Sequence, residues 1–225
     1  MNINVHPLTL GFVQAYLIET PQALFMVDCG MPGQVKNILP LLQRLGRQDL
    51  KLIFITHAHA DHTGSAAALK KMTGAQVAIH RLDAEALRTG KMPARGRSWL
   101  LRQLMAVMTR VVHLQPLQPD IVLEDGDSLE QYGLPGKVVH TPGHTPGSCC
   151  LVLDDGSGFV GDLVLTTGEP HLQHGIVDDW EQLHASYQRL RGLGLEKVYV
   201  GHGQSSLSGS ELVALIDSEI DSIKA

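Results

Sequence analysis

Short apolar runs alternate with turn residues along the chain, and this pattern predicts its strands. The run at residues 51–56 is apolar almost throughout, which is typical of a strand buried on both faces. The first two runs are separated by a turn at residues 19–22, and a loop signal containing Gly30, Pro32 and Gly33 follows them. The predicted strands cover residues 12–18, 24–27, 51–56, 76–80, 137–140, 149–153, 159–160 and 197–200.

Apolar residues at helical spacing predict helices between these strands. From Val35 to Leu45 the apolar positions share one face, and Pro40 inside that pattern predicts a kink or a break. A capping box at Ser208 predicts the start of a terminal helix. Its inner face comprises Leu212, Leu215, Ile216 and Ile223, and the other predicted helices cover residues 65–72 and 180–191. Strands with accompanying helices in both halves of the chain indicate an α/β layered sandwich with the helices outside.

The segment from about residue 89 to residue 119 differs from the rest, and we expect it to be an insertion in a single domain spanning residues 1–225. Its basic residues are Lys91, Arg95, Arg97, Arg102 and Arg110, and its apolar stripe is Leu101, Leu104, Met105, Met108 and Val112. Such a stripe could pack on the core, line a substrate pocket, form a homodimer contact or lie on a membrane surface.

Composition and charge narrow the classes of function. Of 225 residues, 44% are hydrophobic and 18% are charged, which suits a folded core. The net charge of −5 argues against nucleic-acid binding, because such proteins neutralise phosphates with clustered Lys and Arg. No signal peptide and no apolar run of about 18 residues is visible, and the three Cys suit reduced thiols. We therefore expect a cytoplasmic protein without a membrane span.

Histidine is the outlier of the composition, with 12 residues. Four candidate metal ligands lie within His57-Ala-His59-Ala-Asp61-His62, directly after the predicted strand at residues 51–56. A loop at the end of a strand can turn several side chains towards one point, whereas side chains along a strand alternate. Imidazole and carboxylate groups suit Zn²⁺, Fe or Mn.

Three further candidate ligands follow predicted strands in the second half of the chain. His144, Asp162 and His202 each come directly after a glycine. Glycine adopts backbone conformations that other residues resist, so a tight loop can direct the next side chain at a metal. The sequence therefore predicts one metal site built from distant segments.

The order His-x-His-x-Asp-His, Gly-His, Gly-Asp and Gly-His resembles the metallo-β-lactamase-fold superfamily, over residues 28–202. The resemblance implies a four-layer αββα sandwich with two divalent metal ions at one edge between the sheets. Zn²⁺ is the expected metal, with Fe or Mn as alternatives. The implied ligands of the first metal are His57, His59 and His144, those of the second are Asp61, His62 and His202, and Asp162 bridges both.

The same resemblance implies hydrolytic chemistry on a small-molecule substrate. A metal-bridging hydroxide would attack an ester-like carbonyl, one metal would stabilise the oxyanion and the other would receive the leaving group. Asp61 would be the catalytic residue that orients the hydroxide. Asp28 matches an aspartate that supports the His-rich loop, because ligating imidazoles need a partner on their second nitrogen. A simple turn role is the alternative for Asp28.

Differences from known branches of the superfamily narrow the choice of branch and of substrate class. β-Lactamases of one type carry Cys where this chain has Asp162, flavodiiron proteins carry Glu in place of His59, and ribonuclease Z resembles a basic protein. The ligand set looks like the glyoxalase II, lactonase and related hydrolase group. Only 23 residues follow His202, too few for the glutathione-binding domain of glyoxalase II, and Leu165 stands where quorum-quenching lactonases place Tyr. A hydrolase of thioesters, lactones or other esters is the resulting prediction.

Two alternatives remain open at this stage. A mononuclear iron persulfide dioxygenase would fill only the site of His57, His59, His144 and Asp162, and the sequence does not separate one metal from two. A non-catalytic metal-binding scaffold is the other alternative.

Several residues outside the ligand set are also candidates for function. His171 and His174 could line the pocket and donate a proton, with exposed loop positions as the alternative. Arg95, Arg97 and Arg102 could meet an acidic substrate group, or be solvated. Cys29, beside Asp28, could lie near the metals, although the spacing does not require it. Ordinary structural or surface roles are expected for His6, His80, His113, His140, His184, Cys149 and Cys150.

Overall fold

The computed structural model of the protein describes residues 3–91, 112, 114–204 and 206–220. Its strands are β1 (Asn4–Leu10), β2 (Val13–Glu19), β3 (Leu24–Val27), β4 (Leu50–Ile55), β5 (Gln76–His80), β6 (Ile121–Leu123), β7 (Gly136–His140), β8 (Cys149–Leu153), β9 (Ser157–Phe159), β10 (Val164–Thr166), β11 (His171–Leu172), β12 (Lys197–Tyr199), β13 (His202–Gly203) and β14 (Ser206–Ser208). Its helices are α1 (Val35–Arg44), α2 (Ala60–Thr63), α3 (Ala66–Thr73), α4 (Ala84–Thr89), α5 (Trp180–Arg191) and α6 (Gly209–Glu219).

The described strands form two sheets. The first sheet has the order β11-β10-β13-β2-β3-β4-β5-β6, with β1 also paired to β2. Its strands β3, β4, β5 and β6 are parallel to one another, so their carboxyl ends meet at one edge. The second sheet has the order β14-β12-β9-β8-β7 and is antiparallel except between β9 and β12.

Three buried apolar clusters define the layers. In β3, Phe25 and Val27 face the cluster between the two sheets, whereas Leu24 and Met26 face the cluster beneath α1, α3 and α4. A third cluster joins the outer face of the second sheet to α5 and α6. Each sheet is thus covered on both faces, which explains the continuous apolar runs in its central strands. The predicted four-layer αββα sandwich is confirmed.

Most predicted elements form close to their expected bounds. The helix predicted at residues 180–191 is α5, and the capping box of Ser208 and Glu211 begins α6. Of the kink or break predicted at Pro40, the break is wrong, because α1 continues through that residue. Pro40 and the preceding turn's Lys36 are exposed, so water can solvate the carbonyl that lacks a helical partner.

Some sequence predictions fall outside the described residues. These are most of the 89–119 segment, with its basic residues and apolar stripe except Lys91 and Val112, together with His113 and Ile223. A single domain with an insertion stays a prediction. Within the part of the chain that the structure describes, every helix is too short or too polar to cross a lipid bilayer.

Candidate metal centre

The seven predicted ligands lie just after strand ends or, for His202, at the start of a short strand, and they converge in two groups. His57 and His59 follow β4, and α2 then presents Asp61 and His62 as a single helical turn. From the second half of the chain, His144 follows β7, Asp162 follows β9 and His202 follows β12. The described ligand atoms form two groups, and within each group they lie within 4.8 Å of one another.

The first group comprises His57, His59, His144 and Asp162, and all four are buried. His57 Nε2 lies 3.0 Å from His59 Nδ1 and 3.2 Å from His144 Nε2, and the last two nitrogens are 3.0 Å apart. Asp162 Oδ2 lies 3.5 Å from His144 Nε2 and 3.9 Å from His57 Nε2. Three imidazole nitrogens and one carboxylate oxygen therefore converge on one point.

The second group comprises Asp61, His62 and His202, and Asp162 also borders it. His202 Nε2 lies 3.1 Å from Asp162 Oδ2 and 3.4 Å from Asp61 Oδ2. His62 Nε2 lies 3.2 Å from Asp162 Oδ1. The carboxylate of Asp162 thus stands between the two groups, with oxygens close to both.

Hydrogen bonds on the far nitrogens fix which nitrogen of several imidazoles faces the centre. His144 Nδ1 donates to the Ile176 carbonyl at 2.7 Å, and His202 Nδ1 donates to the Phe12 carbonyl at 3.0 Å. A carbonyl accepts only, so Nδ1 of both rings carries a proton and Nε2 is the nitrogen that faces the centre. Such partners orient metal-binding imidazoles and make them more basic.

Asp28 supplies the corresponding partner for the His-rich loop. Its Oδ2 accepts from His62 Nδ1 and from Thr56 Oγ1, both at 2.8 Å, and its Oδ1 accepts from the Thr56 backbone N–H at 2.9 Å. Because the Thr56 hydroxyl donates to Asp28, its oxygen accepts from His57 Nδ1 at 3.1 Å. Asp28 therefore orients His62 directly and His57 through Thr56.

The backbone of Asp28 is itself in a sparsely populated conformation. Its φ is 57°, and no other non-glycine residue among those described has a positive φ. Aspartate tolerates this left-handed region better than most residues. The three hydrogen bonds that the buried Asp28 side chain accepts hold its backbone in this conformation. Asp28 therefore does more than form a turn.

Burial depresses the basicity of the first group. Burial lowers the pKa of His59 to about 3, and it lowers the pKa of His57 well below its usual value, with His62 and His144 adding to that effect. Burial likewise lowers the pKa of His144. These imidazoles are therefore neutral, which is the form that binds a metal.

The second group has the opposite electrostatics. Burial alone would lower the pKa of His202, but Asp162 and Asp61 raise it to about 10. Burial would likewise lower the pKa of His62, but the carboxylates of Asp162 and Asp28 raise it well above its usual value. Burial alone would raise the pKa of Asp61, but His62 and His202 lower it to about 2. The carboxylates of this group thus stabilise positive charge placed beside them.

The donor set fits divalent cations. Two nitrogens bound to one tetrahedral metal lie about 3.3 Å apart, close to the separations among His57, His59 and His144. Among the residues that the structure describes, buried His62 Nε2 and Asp162 Oδ1 have no hydrogen-bond partner, although they face each other at 3.2 Å. Buried polar atoms are rarely left unpaired, and a cation would satisfy both. Nitrogen and carboxylate donors suit Zn²⁺, Fe and Mn.

Glycine at position 201 is a steric requirement of the centre. A Cβ at that position would lie against Asp162 Oδ1, far inside contact distance, and 3.0 Å from His62 Cε1. The glycine before His202 therefore makes room for the carboxylate between the two groups, in addition to shaping the loop.

Three residues at the site were missed from the sequence. Phe12, in the turn between β1 and β2, is 60% exposed and its ring stacks parallel to His202 at a centroid distance of 5.7 Å. Buried Gln14 donates through Nε2 to the Gly203 carbonyl at 2.7 Å, tying β2 to the His202 loop. Buried Asp83 accepts bonds from both sides of the centre. Of these three residues, only Phe12 could have been noticed in the sequence, because it is an aromatic residue directly after the turn residue Gly11.

The other candidate residues lie outside both ligand groups. His171 Nδ1 lies 2.9 Å from the Glu169 carbonyl, and exposed His174 is bonded to the Leu172 carbonyl at the same distance. His174 thus has the exposed loop position expected as the alternative, whereas His171 is half-buried in the edge strand β11. His80 and His140 stack on each other at 4.0 Å. The three cysteines are buried and free.

Comparison with known proteins identifies the family to which this fold and centre belong. The model of the metallo-beta-lactamase superfamily matches residues 8–202. A probable metallo-hydrolase of Bacillus subtilis, YflN, is 31% identical over 230 residues, covering 88% of this chain and 83% of YflN. The chain belongs to the metallo-beta-lactamase superfamily.

Two further similarities bear on the branch. A hydroxyacylglutathione hydrolase of Aeromonas hydrophila is 32% identical over 181 residues, and the match covers 79% of this chain but 56% of that enzyme. The crystal structure of TTHA1623 in a di-iron-bound form superposes with a TM-score of 0.70 at 28% identity, covering 92% of this chain and 96% of the other. The chain therefore has relatives among metallo-hydrolases, and its centre suits divalent metals.

Proposed function

We propose that this protein is a dinuclear metal-dependent hydrolase that cleaves an ester-like substrate, a thioester or a lactone. The observation that carries the proposal is the convergence of seven donor side chains in two groups with Asp162 between them. The names of YflN and of the hydroxyacylglutathione hydrolases support the same class, since an acylglutathione is a thioester.

The two groups would hold one divalent cation each, with the carboxylate of Asp162 between them. Cations held there would supply Lewis acidity and would lower the pKa of bound water to about 7. Zn²⁺ is our proposal for the native metal, because the nitrogen-rich first group matches its preferred donors. Iron is the competing choice, since TTHA1623 has a di-iron-bound form.

The chain's own side chains then bind and orient the reactants. Asp61 is 21% exposed, and its low pKa keeps it a hydrogen-bond acceptor at neutral pH. It can accept a hydrogen bond from the attacking water and hold it in line with the substrate carbonyl. The exposed ring of Phe12 beside His202 offers an apolar surface to the substrate chain.

A metal-loaded activity screen tests this proposal. The full chain, supplied with Zn²⁺ or Fe²⁺, is assayed on thioesters, lactones, β-lactams, phosphodiesters and persulfides, beside its His57→Ala and Asp162→Ala variants. We expect thioester or lactone hydrolysis that both variants lose. A hydrolytic activity that survives both substitutions would refute the assignment of the site, and one iron per chain with oxygen uptake on a persulfide would favour the dioxygenase.

A further inference from the structure

Asp83 occupies a position where aspartate commonly caps a helix, yet it does not cap one. It is the residue before α4, and its side chain makes no bond to the first turn of that helix. The residue is only 3% exposed. A buried carboxylate needs hydrogen-bond donors, and Asp83 takes them from elsewhere in the fold.

Three donors from two loops satisfy this carboxylate. Oδ2 accepts from the backbone N–H of Ala58 and from Thr145 Oγ1, each at 2.8 Å. Oδ1 accepts from the backbone N–H of Gly147, also at 2.8 Å. Bonds to an ionised acceptor are stronger than bonds between neutral groups.

The two loops are those that carry the first ligand group. Ala58 lies between His57 and His59 after β4, in the first sheet. Thr145 follows His144 directly, in the loop after β7 of the second sheet. The Asp83 carboxylate therefore links a loop of the first sheet to a loop of the second sheet and fixes their relative position.

Two features of the second loop are adapted to this contact. A Cβ on Gly147 would lie 2.6 Å from Asp83 Cγ, so glycine permits the approach of the carboxylate. Thr145 is also held locally, because its backbone N–H donates to Ser148 Oγ at 3.0 Å and the two hydroxyls are 2.8 Å apart. The hydroxyl that reaches Asp83 thus belongs to a well-defined turn.

We propose that Asp83 is a positioning residue that sets the metal affinity of the first group by holding His57 and His59 in register with His144. The proposal rests on the proposed function only in taking these residues as metal ligands. The hydrogen bonds of Asp83 reach the loops of the first group and involve neither Asp61 nor His202. We therefore expect Asp83 to affect metal affinity at the first group.

The test measures metal binding by the full chain. Metal-free protein is titrated with Zn²⁺ against a chromophoric chelator, and with Co²⁺, whose visible spectrum reports coordination. The His57→Ala and His202→Ala variants assign each binding step to a group. Asp83→Asn keeps the size of the side chain, but in either orientation its amide opposes an N–H or O–H donor. We expect it to weaken binding at the first group about 10–100-fold and to leave the second group unchanged.

Matched variants separate positioning from stability. Thr145→Val removes only the hydroxyl and should weaken the first group in the same direction, whereas Thr145→Ser restores the hydroxyl and should bind as the unmodified chain does. Asp120→Asn is the control for a lost carboxylate, because Asp120 accepts from the Val77 backbone and pairs with Lys70 away from the centre. Urea unfolding of each metal-free form measures the purely structural cost.

The outcomes distinguish this proposal from the proposed function. If Asp83→Asn lowers stability but both metal affinities are unchanged, Asp83 is structural and the proposal is wrong. If Asp83→Asn does not fold, Thr145→Val and Thr145→Ser decide, and equal metal affinities in these two variants would overturn the proposal. If the unmodified chain binds neither Zn²⁺ nor Co²⁺, the proposed function itself fails.

Discussion

The two ligand groups meet at Asp162 but are built on different physical terms. The side chains of His57 and His144 are 1% exposed, whereas those of Asp61 and His202 are 21% and 11% exposed. In the first group burial keeps the imidazoles neutral, and in the second the carboxylates raise the imidazole pKa values. The first group is thus buried throughout, whereas the second contains the two more exposed side chains, Asp61 and His202, beside the buried His62.

The largest effect should come from the more exposed carboxylate of the second group. Asp61→Asn keeps the size of the side chain but removes its charge and one acceptor oxygen. We expect turnover to fall about 100-fold or more, because an acceptor that orients the attacking water is lost, while the first group still binds its metal. Steady-state kinetics with measured metal content test this, with Asp217→Asn at a surface ion pair as the control. Unchanged turnover at full metal occupancy would contradict a catalytic role for Asp61.

A single added methyl group should disturb both groups together. Gly201→Ala places a Cβ against Asp162 and His62, so these two side chains must move away from their places in the centre. Such overlap costs up to about 3 kcal/mol of folding free energy, and a loss of the same size in binding free energy would lower metal affinity roughly 100-fold. Zn²⁺ titration should show both binding steps weakened. Gly192→Ala is the matched control, since its Cβ would meet nothing closer than 3.5 Å. A loss confined to one group would show that Asp162 does not couple them.

Asp28 should affect both groups, in contrast to Asp83. Asp28→Asn can keep the left-handed backbone, but its amide cannot accept all three bonds from Thr56 and His62. We expect metal affinity to fall about 10–100-fold at the second group, and less at the first, where the effect passes through Thr56. Competition with a chelator measures each step. If only the first group lost affinity, the conclusion that Asp28 supports His62 directly would be wrong.

The smallest effect should come from the exposed aromatic ring beside the second group. Phe12→Ala removes apolar surface beside His202 without touching the carbonyl that His202 uses. We expect KM to rise about fivefold, or roughly 1 kcal/mol of lost apolar contact, with turnover nearly unchanged. Val122→Ala, another exposed apolar position on β6, serves as the control. An unchanged KM for every substrate hydrolysed would remove Phe12 from the substrate path.

The sequence predicted much of the fold because local patterns carried it. Alternating and continuous apolar runs located β2–β5, β7 and β8, and helical spacing located α1, α3 and α5. Of the strands with two or three residues, β9 and β12 were predicted at least in part, whereas β10, β11 and β13 gave no such signal and were missed. These short strands belong to the second half of the chain yet extend the first sheet, and only tertiary pairing places them there.

The sequence by itself predicted the candidate metal ligands from their chemistry and from their places after predicted strands. They are His57, His59, Asp61, His62, His144, Asp162 and His202. The family resemblance predicted that Asp28 supports the His-rich loop, but only the tertiary structure decided which atoms support the candidate ligands. Asp28 lies 34 residues from His62, and Asp83 lies 62 residues from Thr145. No local pattern specifies such contacts, since a carboxylate's partners depend on which distant backbone N–H groups the folded chain brings within about 3 Å.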